Sequence, residues 1–287
     1  MSNRIKLIGI DLDGTLLHTD HSISQRNIQT LNTVSQSGIL IIPVTGRSFN
    51  SIPKELLTKV PKISYIISAN GALVSKIPEN KHIYHDAFSN EQLESILEFL
   101  KKEEILIELY SESKVYVQKK EYARLQDFIV DVKDPAILKY FEHSRTLVDD
   151  LYDVIQNEKM ILKVHVLLTD LVKRSLLMEE LRKDQKLCIT SATGKNIEIN
   201  TRTSNKGDSL QKFAQTLGIH PQEIMVIGDN GNDQTMLSMA GLSVAMGNAV
   251  KEIKELADFV TLTNDEDGVA YAIEQLILSE QAHKGQA

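Results

Sequence analysis

The sequence predicts an α/β fold, a Rossmann-like parallel sheet core with an inserted α+β cap domain. Three observations carry that expectation. Apolar runs of strand length alternate with amphipathic stretches at both ends of the chain. Polar signatures stand where those runs end, and the middle of the chain breaks the alternation.

The first run, "IKLIGI" (5–10), is nearly continuous in apolar residues, as a strand covered on both faces requires. Residues 24–37 read as a helix, with Ser24 as N-cap, Ile28, Leu31 and Val34 on one face, and Gly38 to end it. "ILIIPV" (39–44) is the next buried strand, a helix is expected over 48–60, and "YIISA" (65–69) follows as a third strand. The C-terminal part repeats the grammar. Helices at 206–217, 234–240, 249–257 and 268–279 alternate with strands at 223–229, 242–246 and 258–263.

Between these halves the pattern changes. Ser89 and Gln92 have the capping-box spacing, and Leu93, Ile96, Leu97 and Leu100 share one helical face. "ILIELYS" and "KVYVQ", joined by a short polar turn, read as a hairpin. Strands at 160–169, 186–192 and 196–200 and a helix at 170–182 complete an antiparallel block. The expected division is therefore a core of residues 1–83 and 197–287, with residues 84–196 as the cap.

Composition bounds the function. The chain has 287 residues, 42% hydrophobic and 25% charged, the balance of a soluble globular protein. No stretch approaches the ~18 apolar residues that would span a bilayer, and the N-terminal run ending at Asp11 suits a first strand better than a signal peptide. The single cysteine, Cys188, can form no internal disulfide, which points to the cytoplasm. A formal charge of −7 argues against nucleic acid or an anionic membrane as partner. An anionic substrate must then be held by local positive charge.

Four polar signals fall at strand ends or at a helix start: Asp11–Leu12–Asp13, Thr45–Gly46–Arg47, Lys206–Gly207, and "DNGND" at 229–233. In a parallel sheet these converge on one edge, where ligands of such folds sit. The chemistry that fits is phosphoryl transfer. Asp11 and Asp13, two apart on an extended segment, point to the same side, so one can attack phosphorus while the other handles a proton. A carboxylate approaching a phosphate meets a repulsion of ~4 kcal/mol per charge pair at 4 Å and an effective dielectric near 20. Mg²⁺, bound by oxygen ligands such as Asp11 and Asp229, and the point charge of Lys206 would offset it. Thr45 offers a hydroxyl, Gly46 permits close backbone approach, and Gly14 permits a tight turn after the acids.

Taken singly, each signal has an ordinary reading. D-x-D-G is often a turn or a calcium loop, though the calcium-loop register fails here because Thr15 and Leu16 occupy its fifth and sixth positions. Asn70–Gly71 in "SANGALV" reads as a turn. The eight histidines have no ligand spacing and read as surface or core residues, and no P-loop is present.

Together, in this order, the residues resemble the haloacid dehalogenase-like phosphohydrolases. "DLDGTLL", Thr45 in "PVTGR", Lys206 in "SNKG" and "GDNGND" resemble the four motifs of that superfamily, and no motif position departs from the pattern. The insertion between Thr45 and Lys206 lies where members with a type-2 cap carry theirs, and "MGNA" with "ADFVT" and "NDEDGV" resembles the Cof-type phosphatases. The resemblance implies Asp11 as nucleophile and Asp13 as acid and base. It implies phosphate contacts from Leu12, Thr45, Gly46, Lys206 and Asn232. It implies a Mg²⁺ site of Asp11, Asp229, Asp233 and the backbone carbonyl of Asp13. The expected substrate is a small phosphorylated metabolite, of the sugar phosphate, flavin or pyridoxal phosphate type. A phosphosugar mutase is the near alternative, and a phospho-acceptor signalling module or sensor the alternative of another class.

Overall fold

The computed structural model describes residues 5–79, 81–103, 105–122, 145–192 and 195–279. Its centre is a five-stranded parallel sheet in the order β14-β13-β12-β1-β2, formed by Phe259–Val260, Leu242–Ala245, Ile224–Gly228, Leu7–Ile10 and Leu40–Pro43. β1 lies between β12 and β2, with Leu7 opposite Ile224 on one side and Leu40 on the other. Its four residues are all buried, as helices on both faces require. The apolar core of this region gathers Leu7, Ile8, Leu31, Ile42, Leu210 and Val226, among others from both ends of the chain.

Two expectations are corrected. The 48–60 stretch is not one helix but a 3₁₀ turn, Phe49–Ser51, and a short helix, Lys54–Lys59. Pro53 separates them, since it lacks an N–H and biases the preceding residue toward extended backbone. Residues 65–69 pair with the parallel sheet only at the bridge Val44–Ile67, where the Thr45 N–H donates to the Ile67 carbonyl at 2.9 Å. β3 (Tyr65–Ser68) instead begins an antiparallel sheet with β4 (Leu73–Lys76) and β5 (Lys81–His85). The cause is local. Ala69, Asn70 and Gly71 carry φ values of 50°, 57° and 99°, and this left-handed run reverses the chain.

The cap region is built on a six-stranded sheet in the order β10-β11-β9-β6-β7-β8, from Leu187–Thr190, Asn196–Thr201, Ile161–Leu167, Leu106–Ser111, Val115–Gln118 and Arg145–Val148. The capping box at Ser89 forms, with the Gln92 N–H donating to Ser89 Oγ at 3.2 Å and Gln92 Oε1 accepting from the Ser89 N–H at 3.0 Å. It opens the helix Asn90–Leu100, which packs with Leu151–Asn157 and Leu171–Leu181 over one face of the sheet. That face is apolar, with Leu109, Val164, Val166, Ile197 and Ile199 all fully or nearly fully buried.

The other face is polar, and strand register decides which residues share it. Arg145 pairs with Val115, Val115 with Tyr110, and Tyr110 with Lys163. In the next row on that face Glu108 pairs with His165, and His165 with Glu198. Directly paired residues project to the same side. This face looks onto the carboxyl ends of β1 and β2. Among the described residues, no helix is long and apolar enough to cross a membrane.

Candidate active site

β1 ends at Ile10, so Asp11 is the first residue beyond the sheet, fixed by its N–H to the Ile227 carbonyl at 3.1 Å. The chain must then turn under the end of β12. Gly14 does this with φ +78°, and a Cβ there would lie 2.5 Å from Asp229 Oδ2, so a larger residue would have to displace that carboxylate. Thr15 Oγ1 donates to Asp229 Oδ1 at 3.2 Å. Asp233 folds back across the next turn, its Oδ2 accepting from the backbone N–H groups of Asp229 and Asn230 at 3.0 and 3.1 Å.

The result is a buried trio, Asp11, Asp229 and Asp233, with an oxygen of each within 4.8 Å of the others. Lys206 opens the helix Lys206–Thr216, capped by Asn205. Gly207 lets that helix pack closely, since a Cβ there would lie 2.3 Å from the Thr235 carbonyl oxygen. Lys206 Nζ is thereby driven into the trio, donating to Asp11 Oδ1 and Asp233 Oδ1 at 2.6 Å each.

Three carboxylates share one ammonium, and the imbalance shows in their acidity. Burial raises Asp11 well above the ordinary carboxylate range, and the charges of Asp233, Asp229 and Asp13 add to it, against the lowering effect of Lys206. Burial, then the charge of Asp233, pushes Asp229 up to about 7. For Lys206, burial works to lower the pKa, but Asp11 and Asp233 overcome it and hold the ammonium charged. An all-oxygen donor set with surplus negative charge fits a hard divalent cation.

Asp13 stands apart from this trio. Its carboxylate is half exposed and clamped by Arg47, with Nε to Oδ2 at 2.8 Å and Nη2 to Oδ1 at 2.5 Å. The half of it that is buried works to raise its pKa, but Arg47, and after it His21, bring it well below the carboxylate range. Arg47 is braced in turn by Nη1 to the Ser51 carbonyl at 3.0 Å. Both acids of the D-x-D motif still line one cavity of about 290 Å³.

The remaining motif residues fall around it. Thr45 is fully buried, its Oγ1 accepting from the Arg47 N–H at 3.1 Å. Gly46 leaves room that a Cβ would contest, 2.9 Å from Asn70 Oδ1 and 3.2 Å from Glu198 Oε1. Asn232 Nδ2 donates to Asn70 Oδ1 at 3.4 Å. The Leu12 side chain lies in the core, so only its backbone can serve the site.

Sequence reasoning missed several residues here. Asn70 makes the expected turn, but its side chain also reaches the site. His21 lies 3.0 Å from Arg47 and lines the same cavity. From the six-stranded sheet, Tyr110, Arg145, Lys163 and Glu198 form the opposite wall. A signal for two of them exists: Lys163 and Glu198 are charged residues set between apolar neighbours in the strands "ILKVHVL" and "NIEIN".

Known proteins resemble this chain along nearly its whole length. The haloacid dehalogenase-like hydrolase family matches residues 8–273. Phosphatase YwpJ of Bacillus subtilis (strain 168) is 31% identical over 95% of this chain and 100% of its own. A 5-amino-6-(5-phospho-D-ribitylamino)uracil phosphatase of the same organism, YwtE, is 32% identical over 97% of this chain and 100% of its own. A solved haloacid dehalogenase-like hydrolase from B. subtilis superposes with a TM-score of 0.85 at 29% identity, covering 95% of this chain and all of that one. The chain belongs to the haloacid dehalogenase-like hydrolases and is a phosphatase of the Cof type.

Proposed function

We propose that this phosphatase is a Mg²⁺-dependent phosphomonoesterase that hydrolyses small phosphorylated metabolites through an aspartyl-phosphate on Asp11. The observation that carries the reading is the buried Asp11 carboxylate, 2.6 Å from Lys206 Nζ, in a cavity that also holds Asp13. Mg²⁺ held by Asp11, Asp229, Asp233 and the Asp13 carbonyl would neutralise the phosphoryl oxygens and the attacking carboxylate.

An Asp11 oxygen attacks phosphorus, and the bond from phosphorus to the leaving oxygen breaks as Asp13 gives that oxygen a proton. Thr45, Gly46, Asn232 and the Leu12 backbone hold the phosphoryl oxygens, and Lys206 balances the charge. Asp13, now a carboxylate, takes a proton from water. The water oxygen bonds to phosphorus and the Asp11–phosphorus bond breaks, releasing inorganic phosphate. The Arg47 clamp holds Asp13 in the deprotonated form that this second step needs. For the first step the clamp must open and Asp13 must take up a proton.

A substrate that is a small metabolite is supported by the cavity, whose 290 Å³ is at the lower end of ligand sites. The name of the YwtE relative, a phosphorylated ribityl-uracil phosphatase, supports the same class. Residues 84–196 would supply the walls that choose the leaving group, through Tyr110 and Arg145. A cytoplasmic enzyme with no nucleic-acid or membrane partner accords with the single free Cys188 and the charge of −7.

Phosphate release from a panel of sugar phosphates, flavin mononucleotide and pyridoxal phosphate, with Mg²⁺ and with EDTA, tests the reading. Metal-dependent release is expected. Release only when a bisphosphate activator accompanies a hexose phosphate would replace it with the mutase.

A further inference from the structure

The polar face of the cap sheet holds a buried ion pair that the reaction above does not use. Lys163 Nζ donates to Glu198 Oε1 at 2.7 Å, and the two side chains are 3% and 4% exposed. Burying such a pair is expensive in desolvation, and apolar residues of similar size would often serve stability as well. Its partners lie in the other region of the molecule. Lys163 Nζ also donates to the Gly46 carbonyl at 2.7 Å, on the loop that would hold phosphate. Glu198 Oε2 accepts from Asn70 Nδ2 at 3.0 Å.

Asn70 is held unusually firmly for a turn residue. Its own N–H donates to the Thr45 carbonyl and that of Ala69 to the Arg47 carbonyl, at 3.0 and 2.8 Å. Asn200 Nδ2 and Ser209 Oγ donate to the carbonyls of Ala69 and Gly71, at 3.0 and 2.7 Å. The left-handed backbone of Ala69 and Asn70 is unfavourable for residues with side chains, and these bonds keep it in place.

The orientation of the Asn70 amide then follows from chemistry. A carboxylate only accepts, so Glu198 fixes the NH₂ end of Asn70 toward itself. The amide oxygen is thereby turned to Asn232 Nδ2 at 3.4 Å. With one N–H of Asn232 taken by Asn70, the other is left for the cavity.

We propose that Glu198, acting through Asn70 on Asn232 and through Lys163 on Gly46, is a positioning residue that lets the seated cap aim the phosphate-binding groups. The assignment rests on the phosphomonoesterase reading, which supplies the phosphate to be held. Glu198→Gln tests it sharply. A glutamine must turn its oxygen to Lys163, so its NH₂ faces Asn70, and Asn70 must invert and present its NH₂ to that of Asn232. Turning the glutamine the other way sets NH₂ against the Lys163 ammonium. Inverting Asn232 as well would set the Asn70 oxygen against Asn200 Oδ1, which accepts from Asn70 Nδ2 at 3.3 Å, so every arrangement contains a mismatched pair.

The experiment is calorimetric titration of inorganic phosphate with Mg²⁺ present, beside kcat for p-nitrophenyl phosphate, on the full chain. Glu198→Gln should weaken phosphate binding by about tenfold or more, the effect of losing a charge-assisted hydrogen bond. Asn70→Gly cuts the same link without touching the ion pair, and glycine accommodates the left-handed backbone, so this variant keeps the test decisive if Glu198→Gln does not fold. It should show a similar loss. The double variant should be no worse than either single one, because both break one chain of contacts. Phosphate affinity within twofold of wild type in the single variants, or losses that add, overturns the positioning role and leaves the phosphatase reading standing. A wild-type protein that binds no phosphate overturns both.

Discussion

Asp229→Asn should stabilise the metal-free protein at neutral pH. Burial and the neighbouring Asp233 push Asp229 from 3.8 up to about 7, so the folded chain holds this carboxyl protonated far more readily than the unfolded chain does. Ionisation therefore opposes folding. The penalty is absent below the unfolded pKa, grows as pH rises between about 4 and 7, and is fully present above 7. A rise of about three units corresponds to an upper bound of ~4 kcal/mol, and sharing of protons with Asp11 and Asp233 places the expected effect on the order of 2–4 kcal/mol. Asparagine preserves the shape and can still accept the hydrogen bond from Thr15. Thermal melts in EDTA at pH 5 and pH 7.5 check this. The variant should melt several degrees above wild type at pH 7.5, with a much smaller gap at pH 5. Adding Mg²⁺ should raise wild type and leave the variant nearly unmoved. A destabilised variant, or a gap independent of pH, would show that the trio carries no surplus charge and refute the reasoning.

Other perturbations separate the parts of the site. Lys206→Met leaves Asp11 and Asp233 buried without their ammonium, so stability should fall by about 3–5 kcal/mol in EDTA and kcat by about 10²–10³-fold, read by melts and phosphate release. Gly14→Ala must hold a side chain at φ +78° against Asp229 Oδ2, costing about 1–2 kcal/mol, and should raise the Mg²⁺ concentration needed for half-maximal activity. In the cap, burial would raise Glu108, but Arg145 and His165 hold it well below the ordinary range. That contribution is present above the unfolded pKa near 4.5 and is lost as pH falls below it. Glu108→Gln should therefore cost about 3–5 kcal/mol at pH 7, with the deficit narrowing in melts near pH 4.

What could be read from the sequence was what local patterns encode. Apolar runs ending in Asp11, Thr45 and Asp229 place these residues at carboxyl ends of parallel strands, and β1, β2 and β12 lie side by side as that requires. Pro53 is a local signal too, and it stands where the expected 48–60 helix breaks into Phe49–Ser51 and Lys54–Lys59. The cap wall was not legible for a different reason. Lys163 meets Tyr110 and Glu198 meets His165 only through the register of antiparallel strands, and Asn70 meets Glu198 across 128 residues. Nor does the D-x-D spacing reveal that Arg47, two residues after Thr45, captures Asp13 rather than leaving it beside Asp11.

The most direct test of the account is the turnover of Asp11→Asn on the best substrate of the panel. An amide cannot attack phosphorus as the carboxylate does, while its size and its hydrogen bond from Lys206 are kept. Loss of at least about 10³-fold in kcat, with phosphate binding retained, is the predicted result. Release at the wild-type rate from rigorously purified Asp11→Asn protein would contradict the mechanism at its first step.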